Sequence, residues 1–162
     1  MEHRVSALVD FYRHVQAERM QGIPILNPAL CVEAVGFQRA EGADEGSAPV
    51  AEGVLITPWF MSLVRLPAAV EAHGGRVARK AVRGFGSERF EFIGAHDPAV
   101  GFHEACALFS PMADFRDQAQ ARATAEAVLA ELRPAPAPAA QPLPARRAFL
   151  MARGPATTGV RP

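Results

Sequence analysis

The residues best suited to chemistry lie between positions 96 and 106, where His96, Asp97, His103 and Cys106 are types that bind metals or transfer protons. A closed tetrahedral site needs its ligands to converge. On a strand, residues three positions apart point to opposite faces, so His103 and Cys106 should diverge. We therefore predict no metal site and expect Cys106 to behave as a small buried apolar residue. A metal or iron–sulfur carrier using His96, His103 and Cys106 is kept as the alternative function.

A second candidate is the segment Arg83–Phe90, which resembles the aromatic RNA-stacking motif of RRM domains at both of its ends. Ser87 and Glu88 replace the aromatic and aliphatic residues that this motif needs in its middle. Lys plus Arg equals Asp plus Glu, at 17 each, so no net positive charge attracts nucleic acid. A dinucleotide-binding loop fails too, because Arg89 stands where the third Gly belongs. The segment predicts a tight turn between strands, and RNA binding is a remote alternative.

Acidic residues offer no catalytic pair. Asp114 is expected to cap the start of a helix, with Asp117 in its first turn. Glu91 and Glu104 are expected to pair with arginines on the solvated face of neighbouring strands. The sequence contains no GxSxG, HExxH, P-loop or CxxC motif. We therefore predict no catalytic residue and no cofactor.

The elements that must position these residues follow from hydrophobic periodicity. Apolar residues at three- and four-residue steps predict a helix over 4–20, and a second helix runs from Asp114 to the residue before Pro134. Short connections between the intervening strands favour antiparallel pairing. The predicted fold class is α+β: a single domain with a largely antiparallel sheet of about five strands, packed with an N-terminal and a C-terminal helix. The strands are expected within 31–39, 53–67 (one long strand or two), 76–83, 89–93 and 102–109.

Composition sets the class of protein and its division into parts. The chain has 162 residues, of which 49% are apolar and 21% charged, as in ordinary globular domains. We predict neither a secretory signal nor a membrane-spanning segment, and the two cysteines are not expected to form a disulfide framework. A cytoplasmic location is therefore expected. We divide the chain into a domain of residues 1–133, a stiff Pro/Ala-rich spacer over 134–144 and a tail over 145–162.

The most apolar stretch, 53–64, contains the only Trp and does not alternate as a half-solvated strand would. Trp59 and Phe60 are neighbours, so an extended chain would point them to opposite faces. Pro58 cannot donate to a sheet ladder and belongs at an edge or a bulge. The stretch is either a docking surface with an open edge or a core strand with an irregularity.

The tail carries Arg-Arg-x-Phe-Leu, formed by Arg146, Arg147, Phe149 and Leu150, which looks like the twin-arginine export motif. That motif works in an N-terminal signal ahead of an apolar region. Near the C-terminus it cannot export this chain. The simplest interpretation is a basic tail with an apolar clip that docks on its own domain.

Five segments of the chain occur in a characteristic order. They are Ile25–Pro28, Thr57–Met61, Arg89–Phe92, Cys106–Met112 and Arg146–Leu150. In combination they resemble the HybE/HoxT family of [NiFe]-hydrogenase assembly chaperones, and the likeness covers nearly the whole chain. The HupJ branch of that family adds a rubredoxin-like module with paired CxxC motifs, which this sequence does not contain. The chain therefore resembles the shorter HoxT type.

The resemblance implies a non-enzymatic maturation factor that acts in the cytoplasm on the hydrogenase precursor before export. The expected partners are the small and large subunit precursors, including the iron–sulfur small subunit with its twin-arginine signal, and other maturation factors. Such proteins are thought to help maturation when oxygen is present. Neither nucleic-acid binding nor membrane insertion is implied, and the resemblance transfers no catalytic or ligand residue.

We expect partner binding at two segments, which would form one surface if their strands are adjacent. Aromatic and Met side chains are good anchors, and Pro58 would leave a ladder position open to a client strand. The expected residues are Thr57, Pro58, Trp59, Phe60 and Met61, with Cys106, Phe109, Ser110, Pro111 and Met112. The tail residues Arg146, Arg147, Phe149 and Leu150 are expected to mimic the client's signal in cis or to contact another maturation factor.

Overall fold

One sheet of six strands runs through the middle of the protein, between two helices that begin and end the described chain. The structure is a computed structural model, and it describes residues 1–41 and 48–135. The elements are α1 (Glu2–Arg19), β1 (Glu33–Ala40), β2 (Val50–Ile56), β3 (Met61–Pro67), β4 (Lys80–Phe85), β5 (Glu88–Asp97), β6 (Gly101–Phe109) and α2 (Gln118–Leu132). None of the helices in these residues has the length and apolar character needed to cross a membrane.

The strands lie in the order β1-β2-β3-β6-β5-β4, and every neighbouring pair is antiparallel. The α+β class is confirmed, with six strands rather than about five. The stretch 53–67 forms two strands, β2 and β3, which occupy interior positions and are buried along their full length. Burial on both faces explains why this stretch does not alternate between apolar and polar residues.

The two helices cover opposite faces of the sheet. Along β2, Leu55 packs with Leu8 of α1, whereas its neighbours Val54 and Ile56 pack in the cluster that contains Leu129 of α2. Successive strand residues point to opposite faces, so each helix receives its own row of side chains. We call these the α1 face and the α2 face of the sheet.

The second helix begins three residues later than predicted. Asp117, not Asp114, is its N-cap, with non-helical backbone angles and a side chain that accepts a 2.8 Å hydrogen bond from the N–H of Gln120. This bond, with one from Arg116, holds the pKa of the Asp117 carboxyl below its usual value. Asp114 is exposed and lies outside the helix. The residue type was right, but the cap position depends on where the chain turns away from the sheet.

A charged network lies buried on the α2 face. The guanidinium of Arg65 is 2.7 Å from the carboxylate of Glu52 and 3.4 Å from that of Glu104, and Arg83 is 3.1 Å from Glu104. Glu104 thus pairs with arginines as predicted, but in the interior instead of on a solvated face. Glu91 is exposed and pairs with Lys80, not with an arginine.

Candidate functional site

Three of the recognised segments meet at one end of the sheet. β3 and β6 are neighbours, and Met61 pairs with Phe109, so the two segments expected to form one surface are adjacent. Asn27, from the third segment, donates its backbone N–H to the carbonyl of Pro58 at 2.9 Å. Its side-chain amide donates to the carbonyls of Met112 and Phe115 at 3.0 and 2.7 Å. One asparagine therefore fixes all three segments.

The β2–β3 connection is a tight turn built around Thr57. Its backbone N–H and its hydroxyl both donate to the carbonyl of Phe60, at 2.8 and 3.0 Å. The hydroxyl oxygen also accepts from the N–H groups of Trp59 and Phe60, at 3.3 and 2.9 Å. Pro58 lies inside this turn, where its fixed φ is favourable. The prediction that Pro58 opens a ladder position to a client strand is therefore wrong.

The turn also changes the predicted directions of the two aromatic neighbours. Trp59 and Phe60 contact each other edge to face, with ring centroids 5.6 Å apart. Both also contact Tyr12 of α1, at centroid distances of 6.4 and 5.4 Å. They therefore share the α1 side instead of pointing to opposite faces, because a turn does not alternate as a strand does. Each ring is half-buried and keeps part of its surface in solvent.

The remaining expected residues divide into buried and exposed groups. The buried ones offer no surface to a partner; they are Thr57, Pro58, Met61 and Met112. Cys106 is half-buried. Phe109 is 41% exposed, and Ser110 and Pro111, which are joined by a cis peptide bond, are also exposed.

Sequence reasoning missed the residues that complete this end. Ile25 is 50% exposed beside the Asn27 connection, and Phe115 packs edge to face on Phe109 at 5.2 Å. The sequence did contain a sign of Ile25, because the segment Ile25–Pro28 is one of the five that carry the family resemblance and ends in the turn dipeptide Asn-Pro. We define the motif surface as the uncharged, partly exposed side chains at this end: Ile25, Trp59, Phe60, Phe109 and Pro111.

The candidate metal ligands do not converge. His103 is buried on the α1 face, where Nε2 lies 3.4 Å from the Tyr12 hydroxyl and Nδ1 lies 3.3 Å from the Gly101 carbonyl. Cys106 packs with the α2-face cluster, so the predicted divergence of His103 and Cys106 is confirmed. His96 instead contacts the ring of His73. Across residues 1–41 and 48–135, no three His, Cys, Asp or Glu residues are grouped to hold a metal.

Burial controls the protonation of these groups. The pKa of His103 is lowered, chiefly because burial disfavours the imidazolium. Burial also raises the pKa of Tyr12 to about 12. The pKa of Cys106 is raised by burial and by the charge of Glu91, so its thiolate, the form that binds metals and acts as a nucleophile, is disfavoured.

Comparison with known proteins shows the family. Residues 3–152 match the model of the [NiFe]-hydrogenase assembly chaperone HybE. The chain belongs to the HybE family of [NiFe]-hydrogenase assembly chaperones. The family resemblance read from the sequence is thus confirmed. The match extends beyond α2 and includes Arg146–Leu150, which lies outside the described residues.

Individual HybE-family relatives agree over most of their length. Protein HoxT of Cupriavidus necator is 44% identical over 161 residues, covering 93% of this chain and 89% of that protein. The hydrogenase expression/formation protein HoxT of Azotobacter vinelandii is 39% identical over 151 residues, covering 93% and 92%. The solution structure of HybE from Escherichia coli superposes with a TM-score of 0.58 at 19% identity, covering 94% and 91%, which shows a shared fold.

Proposed function

We propose that this protein holds precursor subunits of a [NiFe]-hydrogenase in the cytoplasm while they mature and before export. The clients include the small subunit that carries a twin-arginine signal. Membership of an assembly-chaperone family supports this proposal, as do relatives named for hydrogenase expression and formation. Exposed apolar side chains at one end of the sheet also support it, and within the described residues no three His, Cys, Asp or Glu are grouped as a metal site.

The motif surface is the part of the protein proposed to contact the client. Aromatic side chains in well-supported positions carry much of the energy in protein interfaces. Trp59 and Phe109 offer such anchors, and neither has a charge that a client would have to desolvate. Together with Ile25, they frame an apolar end of the sheet.

The observation that carries the proposal is the set of hydrogen bonds made by Asn27. These bonds hold the Thr57–Phe60 turn and the Met112–Phe115 segment against each other before any client arrives. A surface fixed in this way loses little conformational entropy when it binds. Met61, directly after the turn, and Met112, at the start of the second segment, are fully buried in the α2-face cluster.

Co-purification with separately tagged large and small subunit precursors tests the proposal. The double variant Trp59→Ala and Phe109→Ala should lose at least about tenfold in client capture, since anchor residues typically contribute more than 1 kcal/mol each. Phe60 is left intact because it packs in the α1-face cluster. The matched control is Val70→Ala, which truncates a 67% exposed apolar side chain in the β3–β4 connection.

Two results would contradict the proposal in different ways. A folded double variant that captures both precursors as well as the wild type would exclude the motif surface. A wild-type protein that captures neither precursor would exclude the holding function itself. Thermal unfolding of both variants shows whether a loss of capture reflects a lost surface or a lost fold.

A further inference from the structure

β5 and β6 separate partway along their length. Their ladder ends at the pair Ile93↔Ala105, although β6 goes on pairing with β3 as far as Phe109. The first half of β5 pairs with β4 alone. Among the residues that the structure describes, 88–92 of β5 and 106–109 of β6 therefore each have a strand partner on one side only. We call this opening the β5–β6 fork.

Nothing in residues 1–41 and 48–135 covers the edge of β6 in the fork. Outside the sheet ladders, the hydrogen bonds formed among residues 1–41 and 48–135 include none to the backbone of 106–109. The sequence Cys-Ala-Leu-Phe has no charge and no Pro, the usual devices that block an edge. One register shift against β3 falls within these residues and shortens the run that can pair. Such an edge is a template for an added strand.

The fork is apolar on the α2 face and mixed on the α1 face. On the α1 face, Arg89 and Glu91 belong to the fork, and Glu91 forms an ion pair with Lys80 next to the 54% exposed side chain of Val82 on β4. On the α2 face, Phe90 and Leu108 are half-buried. Neighbouring residues of an added strand point to opposite faces. The occupant should therefore have a short apolar run, at least one of whose side chains reaches Phe90 and Leu108 on the α2 face.

The tail of the chain has this pattern. Phe149, Leu150 and Met151 are three consecutive apolar residues, directly after Arg146-Arg147-Ala148. The family match extends to residue 152 and includes them. On the β5 side of the fork, the exposed carboxylate of Glu88 complements the two arginines, whereas Glu91 already forms an ion pair with Lys80.

The end of α2, from which the spacer and tail continue, lies next to the fork. The carbonyl of Leu132, the last residue of α2, accepts a 2.7 Å hydrogen bond from the N–H of Ser87, next to Glu88 at the start of the fork. The spacer over 134–144 has eleven residues. In an extended polyproline-type conformation it spans roughly 34 Å, which is ample for a site on the same domain.

We propose that residues 146–151 add to the edge of β6 at residues 106–109 as a strand in cis. The added strand would end beside Phe109 and so adjoin the motif surface. This part of the inference rests on the proposed function: a docked tail would compete with the client at an effective concentration in the millimolar range. The tail thus limits client binding until a client displaces it.

Amide hydrogen exchange in the full-length protein tests the docking without any client. In the wild type, the amides of 106–109 should be protected. In the double variant Phe149→Asp and Leu150→Asp, the amides among these that point away from β3 should exchange about tenfold faster or more, because docking alone closes this edge. The matched control, Ala156→Asp with Val160→Asp, places two charges farther along the same tail and should leave the protection unchanged.

Several results would overturn the proposal. Equal exchange of these amides in the wild type and in the Phe149→Asp and Leu150→Asp variant would show that the tail does not dock. Protection that appears only at high protein concentration would show that a second copy of the chain covers the edge. Protection that requires an added client precursor would assign the edge to the client. Because exchange is measured without the client, a failure of hydrogenase capture leaves the docking result readable on its own.

Discussion

The backbone N–H of Asn27 donates to the carbonyl oxygen of Pro58 at 2.9 Å, which joins the chain after α1 to the turn between β2 and β3. Because the side chain of Asn27 also holds the carbonyls of Met112 and Phe115, three segments far apart in sequence depend on one residue. The candidate surface is therefore a product of tertiary hydrogen bonding, and its rigidity can be tested.

Asn27→Ala should lower the free energy of unfolding by about 2–3 kcal/mol, because two carbonyl acceptors lose their donor. Asn27→Asp keeps the acceptor that bonds the N–H of Ala29 but loses both donors, and it should be at least as destabilising. Urea denaturation measures both effects. Gln21→Ala, at an exposed position nearby, is the control. An Asn27→Ala protein as stable as this control would show that the connection contributes nothing.

Arg65→Leu should cost about 3–5 kcal/mol of stability, because it leaves the carboxylates of Glu52 and Glu104 buried without their shared partner. Adding Glu52→Leu should recover part of the loss, and a double-mutant cycle in denaturant measures the coupling. Lys80→Ala breaks an exposed ion pair with Glu91 and should change little. Equal losses from Arg65→Leu and Lys80→Ala would contradict a buried network.

His103 should make folding pH-dependent. Its pKa in the folded protein is lowered, chiefly by burial, from the ordinary value of 6.5, so the unfolded chain binds the proton more tightly. Its contribution to stability is complete above pH 6.5 and is lost as the pH falls below that value. Denaturation at several pH values should show a shallower decline between pH 7 and 5 for His103→Gln than for the wild type.

The control for this pH dependence is His14→Gln, which removes an exposed imidazole that is not among the groups acting on the pKa of His103. Its stability should decline with falling pH as steeply as that of the wild type. If His103→Gln also follows the wild-type curve, His103 is not the group that links protonation to unfolding.

Gly86→Ala should destabilise the protein by about 1–3 kcal/mol, because the residue has a positive φ of 59° and its added Cβ would collide with the carbonyl of Leu132. Gly84→Ala is the matched control, since a Cβ there meets nothing within 4 Å and the backbone angle is ordinary. Thermal unfolding compares them. A Gly86→Ala protein no less stable than Gly84→Ala would show that α2 does not rest closely on the β4–β5 turn.

Periodicity predicted the elements well where the signal was local. The first helix, the turn at Gly86 and the shared face of Phe90 and Phe92 all follow from residue types within a few positions. Predictions failed where a distant contact decided the outcome. Pro58 lies in a turn because the chain reverses there to pair β2 with β3, and Asp117 caps α2 because the segment before it is held by Asn27.

The candidate site was also predicted only in part, for the same reason. The sequence identified Trp59, Phe60, Phe109 and Pro111 as surface residues, but it also assigned Thr57, Met61 and Met112 to the surface, although they are buried. Hydrophobicity alone cannot separate an anchor from a core residue, since both are large and apolar. Burial depends on which elements cover a side chain, and that is a property of the packed protein.

By itself, the amino-acid sequence determined the α+β class, the order of the elements and the family, because local periodicity and short motifs are written in neighbouring residues. Only the tertiary structure decided that α1 and α2 cover opposite faces, that Asn27 connects three segments and that β5 parts from β6 beyond Ala105. These features arise from pairings between residues far apart in the chain. A pattern along the sequence indicates which side chains must be buried, whereas the residues that cover them depend on how the strands pair and the helices pack.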